Sequence, residues 1–197
     1  MPVSRAVVRT DVRAASVVAA VTGFIAHRPD LLDPEPKLRD EACGPWPSRR
    51  TWDMLTKVLR HLRAEDLAAT RAAVFGLVGG QAGRAFLTWM DANDLPDPLQ
   101  VINDPSIVKW AEERPDRVWA VLSGVVTLAA QAGTQEQWRR AWKPLAACAD
   151  AGVADVAAAA ARTLAKSRPQ DAKVPAAARR FVPVLVASGL ISEENAA

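Results

Sequence analysis

In the stretch "GPWPSRRTWDMLTKVLR", Gly44 to Arg60, a proline-rich turn carrying a tryptophan runs straight into two adjacent arginines at the mouth of an amphipathic helix. A helix N-terminus already carries partial positive charge. Two further cations there are unfavourable unless an anion, a carboxylate or a phosphate, sits nearby. On pattern alone the alternative is a solvated helix start, with Asp53 compensating Arg49 and Arg50.

The other reactive side chains form no constellation. His27 ends one apolar-periodic segment and His61 lies late in another, and neither has a partner at metal-ligand or catalytic spacing. Cys43 and Cys148 are far apart and read as two free thiols of a reducing compartment. H-E-x-x-H, C-x-x-C and G-x-S-x-G are absent from the sequence. The carboxylates are scattered as helix caps and solvated faces, so spacing nominates no acid–base pair.

"GLVGGQAGR", residues 76–84, is glycine-rich, but Arg84 and Ala85 stand where a phosphate-binding loop needs Lys followed by Ser or Thr. It reads as a turn between helices. Seven tryptophans could offer base-stacking platforms. Trp52, Trp89, Trp119, Trp138 and Trp142 all fall within helical apolar patterns, which assigns them to the core.

These residues must be positioned by helices, because strand-like alternation is almost absent and helical spacing recurs throughout. A first helix is expected over about 11–27, with Val18, Val21 and Ile25 on one stripe, ended by Pro29. A proline-bearing loop follows over 29–47. Ser48 caps the next helix, to about Arg63, by accepting a free first-turn amide. Trp52, Leu55, Leu59 and Leu62 form its buried stripe, Trp52 lying beneath residues 44–47. Arg50 lies roughly 200° around the axis from Trp52 and faces solvent, and Asp53 pairs with Lys57 one turn on.

Further helices are expected over about 65–77, broken at Gly79–Gly80, then over "AGRAFLTWMDAN", and from Pro115 to Gly133. "TQEQ", 134–137, reads as a capping box opening a helix in which Pro144 introduces a kink. "VADVAAAAARTLAK" follows Gly152, and Pro175 opens a last helix ending near Gly189. The expected fold class is all-α, an irregular bundle or array of about seven to nine helices with no sheet and no strict repeat.

Composition agrees with one soluble domain. The chain has 197 residues, 50% of them hydrophobic and 24% charged, enough for a sizeable core. The net charge of +3 carries a mild basic bias at the N-terminal end without a polybasic tract, so nucleic-acid binding is not advertised. No apolar run is long enough to span a bilayer, and the first residues lack the hydrophobic region of a secretory signal. The expected location is cytoplasmic, with no membrane partner.

"FIAHRPDLLDPEP", "WPSRRTWDMLTKVL", "FLTWMDANDLPDP" and "ADVAAAAARTL" together resemble the C-terminal part of actinobacterial MoxR-type AAA+ ATPases, over nearly the whole chain from about residue 17. In that family a turn of the form W-P-S-P-R-T-W opens the lid helix that bears the second sensor arginine. Trp46, Pro47, Ser48, Thr51 and Trp52 match the motif, Arg50 falls on the sensor arginine, and Arg49 replaces the second proline. The resemblance implies that the anion is the γ-phosphate of ATP, whose charge a guanidinium stabilises during transfer while coupling it to lid motion.

The G-x-x-x-x-G-K-[ST] loop and the strand with paired acids for magnesium are missing from these residues. The resemblance therefore implies a partial lid-like segment over 1–63 and a C-terminal helical extension over 64–197 packed on it, without the catalytic core. Such a chain is not an enzyme on its own and needs no cofactor itself, ATP and magnesium entering only with a AAA+ core. Its expected partners are that core and a protein with a von Willebrand factor A domain, in chaperone-like remodelling. Two other readings are a free-standing helical scaffold that binds another protein, and a nucleic-acid binder using Arg49, Arg50, Lys57, Arg60 and Arg63.

Overall fold

A computed structural model describes residues 5–34 and 43–191. The chain is all-helical, with eight α-helices, three 3₁₀ turns and no strand among the described residues. The helices are α1 (Arg5–His27), α2 (Arg49–Leu59), α3 (Leu67–Ala92), α4 (Pro98–Asn103), α5 (Pro115–Ala132), α6 (Gln135–Asp150), α7 (Ala154–Lys166) and α8 (Val182–Ala187). None of them is long and apolar enough to cross a membrane.

The frame is the pairing of α1 with α5, and small side chains set it. Ala15, Ala19 and Gly23 recur every fourth residue on α1, so they share one face. Opposite them lie Ala120 and Gly124. A Cβ at Gly23 would stand 2.4 Å from the Ala120 Cβ, and one at Gly124 would stand 3.2 Å from the Ala19 Cβ. Any larger residue at these crossings would push the two helices apart.

Two apolar clusters flank this pair. One joins Val17, Val21 and Phe24 of α1 to Trp52, Leu55 and Leu59 of α2 and to Val74, Val78, Phe86 and Trp89 of α3. Its centre is aromatic: Phe24 lies 5.5 Å from Trp52 and 5.3 Å from Phe86, the latter pair edge to face. Such contacts add to the area they bury. The other cluster gathers α4 to α8 around Trp138 and Trp142, whose rings meet edge to face at 5.6 Å. Trp138 Nε1 donates to the Leu164 carbonyl at 2.8 Å, which ties α6 to α7. The first cluster runs through α3 to Trp89, so the residues on either side of position 63 share one core.

Several local expectations are met with differences. The first helix starts at Arg5 rather than near 11. The α2 helix proper ends at Leu59, and its last polar residues continue as turns. The break at Gly79 is a bend inside α3, with φ 77° and ψ 176°. Thr134 caps α6 by accepting the Gln137 amide, but the reciprocal half of the expected box is not made, because the Gln137 Oε1 is buried without a partner. The α6 helix continues through Pro144 to Asp150. The last segment is a 3₁₀ stretch, Ala176–Phe181, before the short α8. Prolines 175 and 183 suit such interrupted helix starts.

Candidate functional site

The turn that opens α2 is fixed by its own polar side chains. Ser48 is extended, at φ −150° and ψ 163°, and its Oγ accepts from the Thr51 amide at 3.2 Å. The Thr51 Oγ1 in turn accepts from the Ser48 amide at 2.8 Å, which completes a reciprocal cap. The same hydroxyl oxygen lies 3.0 Å from the Trp46 carbonyl, to which it donates. A threonine does here what Glu or Gln does in the usual capping box.

Two longer-range contacts hold the turn to the body. Trp52 is 2% exposed, seated against Phe24 and Phe86, and its Nε1 donates to the Leu31 carbonyl at 2.8 Å. That bond joins α2 to the 3₁₀ turn Pro29–Leu31 that follows α1. On the other side, the backbone just before Trp46 lies against the bend in α3. A Cβ on Gly79 would stand 2.4 Å from the Pro45 carbonyl oxygen. The close approach requires a residue with no side chain there.

The two arginines have different fates. Arg49 Nε lies 3.4 Å from Asp33 Oδ2, an exposed pair that spends its charge on the turn after α1. Arg50 is exposed and has no ion pair or side-chain hydrogen bond among the described residues. It lies on the side of α2 opposite Trp52, as the helical spacing requires. Asp53 is engaged with Lys57 at 2.6 Å, so it does not neutralise Arg50 exclusively. Met54 and Val58, each 40% exposed, add apolar surface to the same helix. Further along, Arg60 Nε contacts His61 Nε2 at 3.2 Å.

Thus the structure brings Trp46, Pro47, Ser48, Thr51 and Trp52 together as one support, with Arg49 and Arg50 outside it. The sequence reading did not find Leu31 or Gly79 as parts of that support, nor Asp33 as the partner of Arg49. Gly79 could have been suspected from its break, but nothing local pairs it with Pro45. Chemically, the result is an immobilised helix start whose leftover first-turn amides and Arg50 guanidinium can meet an anion together. No group of three or more His, Cys, Asp or Glu residues able to hold a metal occurs among the described residues. Cys148 is buried, and burial pushes its thiol up to about 11, which makes it an unreactive core residue; Cys43 is exposed.

Compared with protein-family models, curated proteins and solved structures, the chain has no significant match to any of them.

Proposed function

We propose that the chain acts as the helical lid and C-terminal region of a MoxR-type AAA+ assembly, packing on a nucleotide-binding core and supplying Arg50 to the γ-phosphate of ATP. The observation that carries this reading is the contrast at the start of α2. Arg49 is engaged by Asp33, whereas Arg50 is presented outward from a helix end held by Ser48, Thr51, Trp52 and the Gly79 bend. A sensor needs that combination: a guanidinium with no internal competitor among the described residues, on a support stiff enough to transmit lid motion. The core would bring the phosphate-binding loop and magnesium, and Arg50 would stabilise charge on the transferring phosphoryl group. Remodelling with a partner bearing a von Willebrand factor A domain belongs to the same proposal.

Met54 and Val58 support a second reading, a free-standing scaffold that docks a partner on the exposed side of α2. An apolar pair among cations suits an interface with an apolar centre and an acidic rim. The two readings separate in one experiment. The chain is added to a purified MoxR-type AAA+ core, and ATP hydrolysis is followed with the parent and with Arg50→Ala. Stimulation that collapses with Arg50→Ala supports the lid. Association without any dependence of hydrolysis on Arg50 leaves the scaffold. Micromolar ATP binding with turnover by the chain alone overturns the lid reading.

A further inference from the structure

One ring nitrogen of His27 faces a cation and an anion together. His27 is the last residue of α1, and its Nδ1 lies 2.8 Å from Arg114 Nη2 and 3.2 Å from Asp116 Oδ2. Arg114 and Asp116 stand at the start of α5, on either side of Pro115. They also bind each other: Arg114 Nε donates to Asp116 Oδ1 at 3.1 Å, and Nη2 donates to Oδ2 at 2.6 Å. The Asp116 side chain is 11% exposed, so the carboxylate is largely enclosed between the two helix ends.

Proton counting separates two arrangements of this cluster. A neutral imidazole has one acceptor nitrogen and one N–H, whereas an imidazolium has two N–H groups and no acceptor. Arg114 Nη2 carries two hydrogens, so it serves Asp116 Oδ2 and His27 Nδ1 together only while Nδ1 is bare. That is the arrangement in the structure. Protonation places an N–H on Nδ1 where a guanidinium N–H already points, and two donors then confront each other. Asp116 Oδ2, at 3.2 Å, is the acceptor within reach of the new N–H. Of the three groups Arg114 is the one free to move, because its side chain is 58% exposed while Asp116 is enclosed in the first turn of α5. On the α1 side, Asp30 is near enough to interact with the His27 charge, and Arg28 is held by Asp30 through two hydrogen bonds.

We propose that His27 is a pH-sensitive joint between α1 and α5: neutral, it holds Arg114, and protonated, it bonds Asp116 and turns Arg114 out to solvent. Histidine is the side chain suited to such an exchange, because its charge changes between about pH 5 and 8. The joint lies at the root of the turn that carries α2, since the Leu31 carbonyl, four residues on, receives the Trp52 N–H. It goes beyond the lid and scaffold readings and works in the chain alone, so its failure leaves those readings untouched.

Imidazole nitrogen NMR of the full chain at about pH 8 and about pH 5, with crystal structures at the same two values, tests the joint. At the higher pH, His27 should carry its proton on Nε2 alone, with Arg114 Nη2 in hydrogen-bond contact with Nδ1. At the lower pH, both ring nitrogens should be protonated, Nδ1 should donate to Asp116, and Arg114 should have left the ring. In solution the Arg114 N–H signals should move with the His27 titration and stay still over the same range in His27→Gln. The titration midpoint of His27 should fall in Asp116→Asn, which removes the anion, and rise in Arg114→Gln, which removes the cation. A proton on Nδ1 at the higher pH, an Arg114 that keeps its contact beside the imidazolium, Arg114 signals that still move in His27→Gln, or midpoints that do not separate in that order would each overturn the proposal.

Discussion

Gly79→Ala should destabilise this chain by about 2–5 kcal/mol, while the same substitution three residues earlier should stabilise it. The first magnitude has two parts. Gly79 sits at φ 77° and ψ 176°, a region essentially reserved for glycine, where another residue costs about 1–3 kcal/mol. The added Cβ would also meet the Pro45 carbonyl oxygen at 2.4 Å and its carbon at 3.3 Å. Those are backbone atoms of the turn before α2, so they cannot rotate aside as a side-chain tip would. Relieving such an overlap costs about 1–3 kcal/mol. The stiffer unfolded chain returns about 0.4–1 kcal/mol.

For a chain of this size, 1 kcal/mol shifts the melting temperature by about 2–4 °C. Gly79→Ala should therefore melt roughly 4–20 °C below the parent, read by far-ultraviolet circular dichroism. Gly76 is exposed in the same helix, and a Cβ there would meet nothing within 4 Å. Gly76→Ala should accordingly raise stability by about 0.5–1 kcal/mol, as alanine replaces glycine in a helix interior. Gly79→Ala within about 2 °C of the parent, or both variants moving the same way, would refute the packing of the turn on α3.

Ser48→Ala removes a reciprocal cap and should cost about 1 kcal/mol in denaturant unfolding, Ser48→Asp recovering most of it. Arg49→Ala and Arg50→Ala should each leave stability within about ±0.5 kcal/mol, since both are exposed; hydrolysis by an assembly containing a AAA+ core should fall on the order of 10³-fold for Arg50→Ala alone. Cys148 should resist alkylation in the folded chain while Cys43 reacts, as mass spectrometry of the modified protein will show. The unfolded Cys148 thiol ionises near 9.0 and the folded one near 11, so between those values the unfolded state holds fewer protons and stability falls as pH rises. That alkaline slope should shrink in Cys148→Ala.

The helical architecture was legible because periodicity and caps are local. Ser48 and Thr51 are three residues apart, and the proline-flanked start of α2 could be read without knowing what it packs against. The same holds for Pro29 ending α1 and Gly133 ending α5, where φ is 60°. The Trp52–Phe24–Phe86 centre was legible as three apolar stripes, but not as one cluster. Which stripes meet depends on helix crossings, and those follow from the small residues at 15, 19, 23, 120 and 124. No short window of sequence contains both sides of that fit.

Site residues were harder for the same reason. Arg49 and Arg50 are equivalent in a sequence window, and only the fold separates them, by bringing Asp33 within reach of the first. The decisive contact joins residues sixteen positions apart through a turn whose geometry depends on Trp52 reaching the Leu31 carbonyl. Arg13 shows the converse. Its position on an alanine- and valine-rich helix gives no signal of function, since Arg5, Arg9 and Arg13, four residues apart, read together as a solvated edge. Only when α3 closes over it does its Nε lose water, beside an indole N–H that has lost water too. Arg50 is exposed on a fixed support, whereas Arg13 is half-buried, with its Nε unpartnered among the described residues.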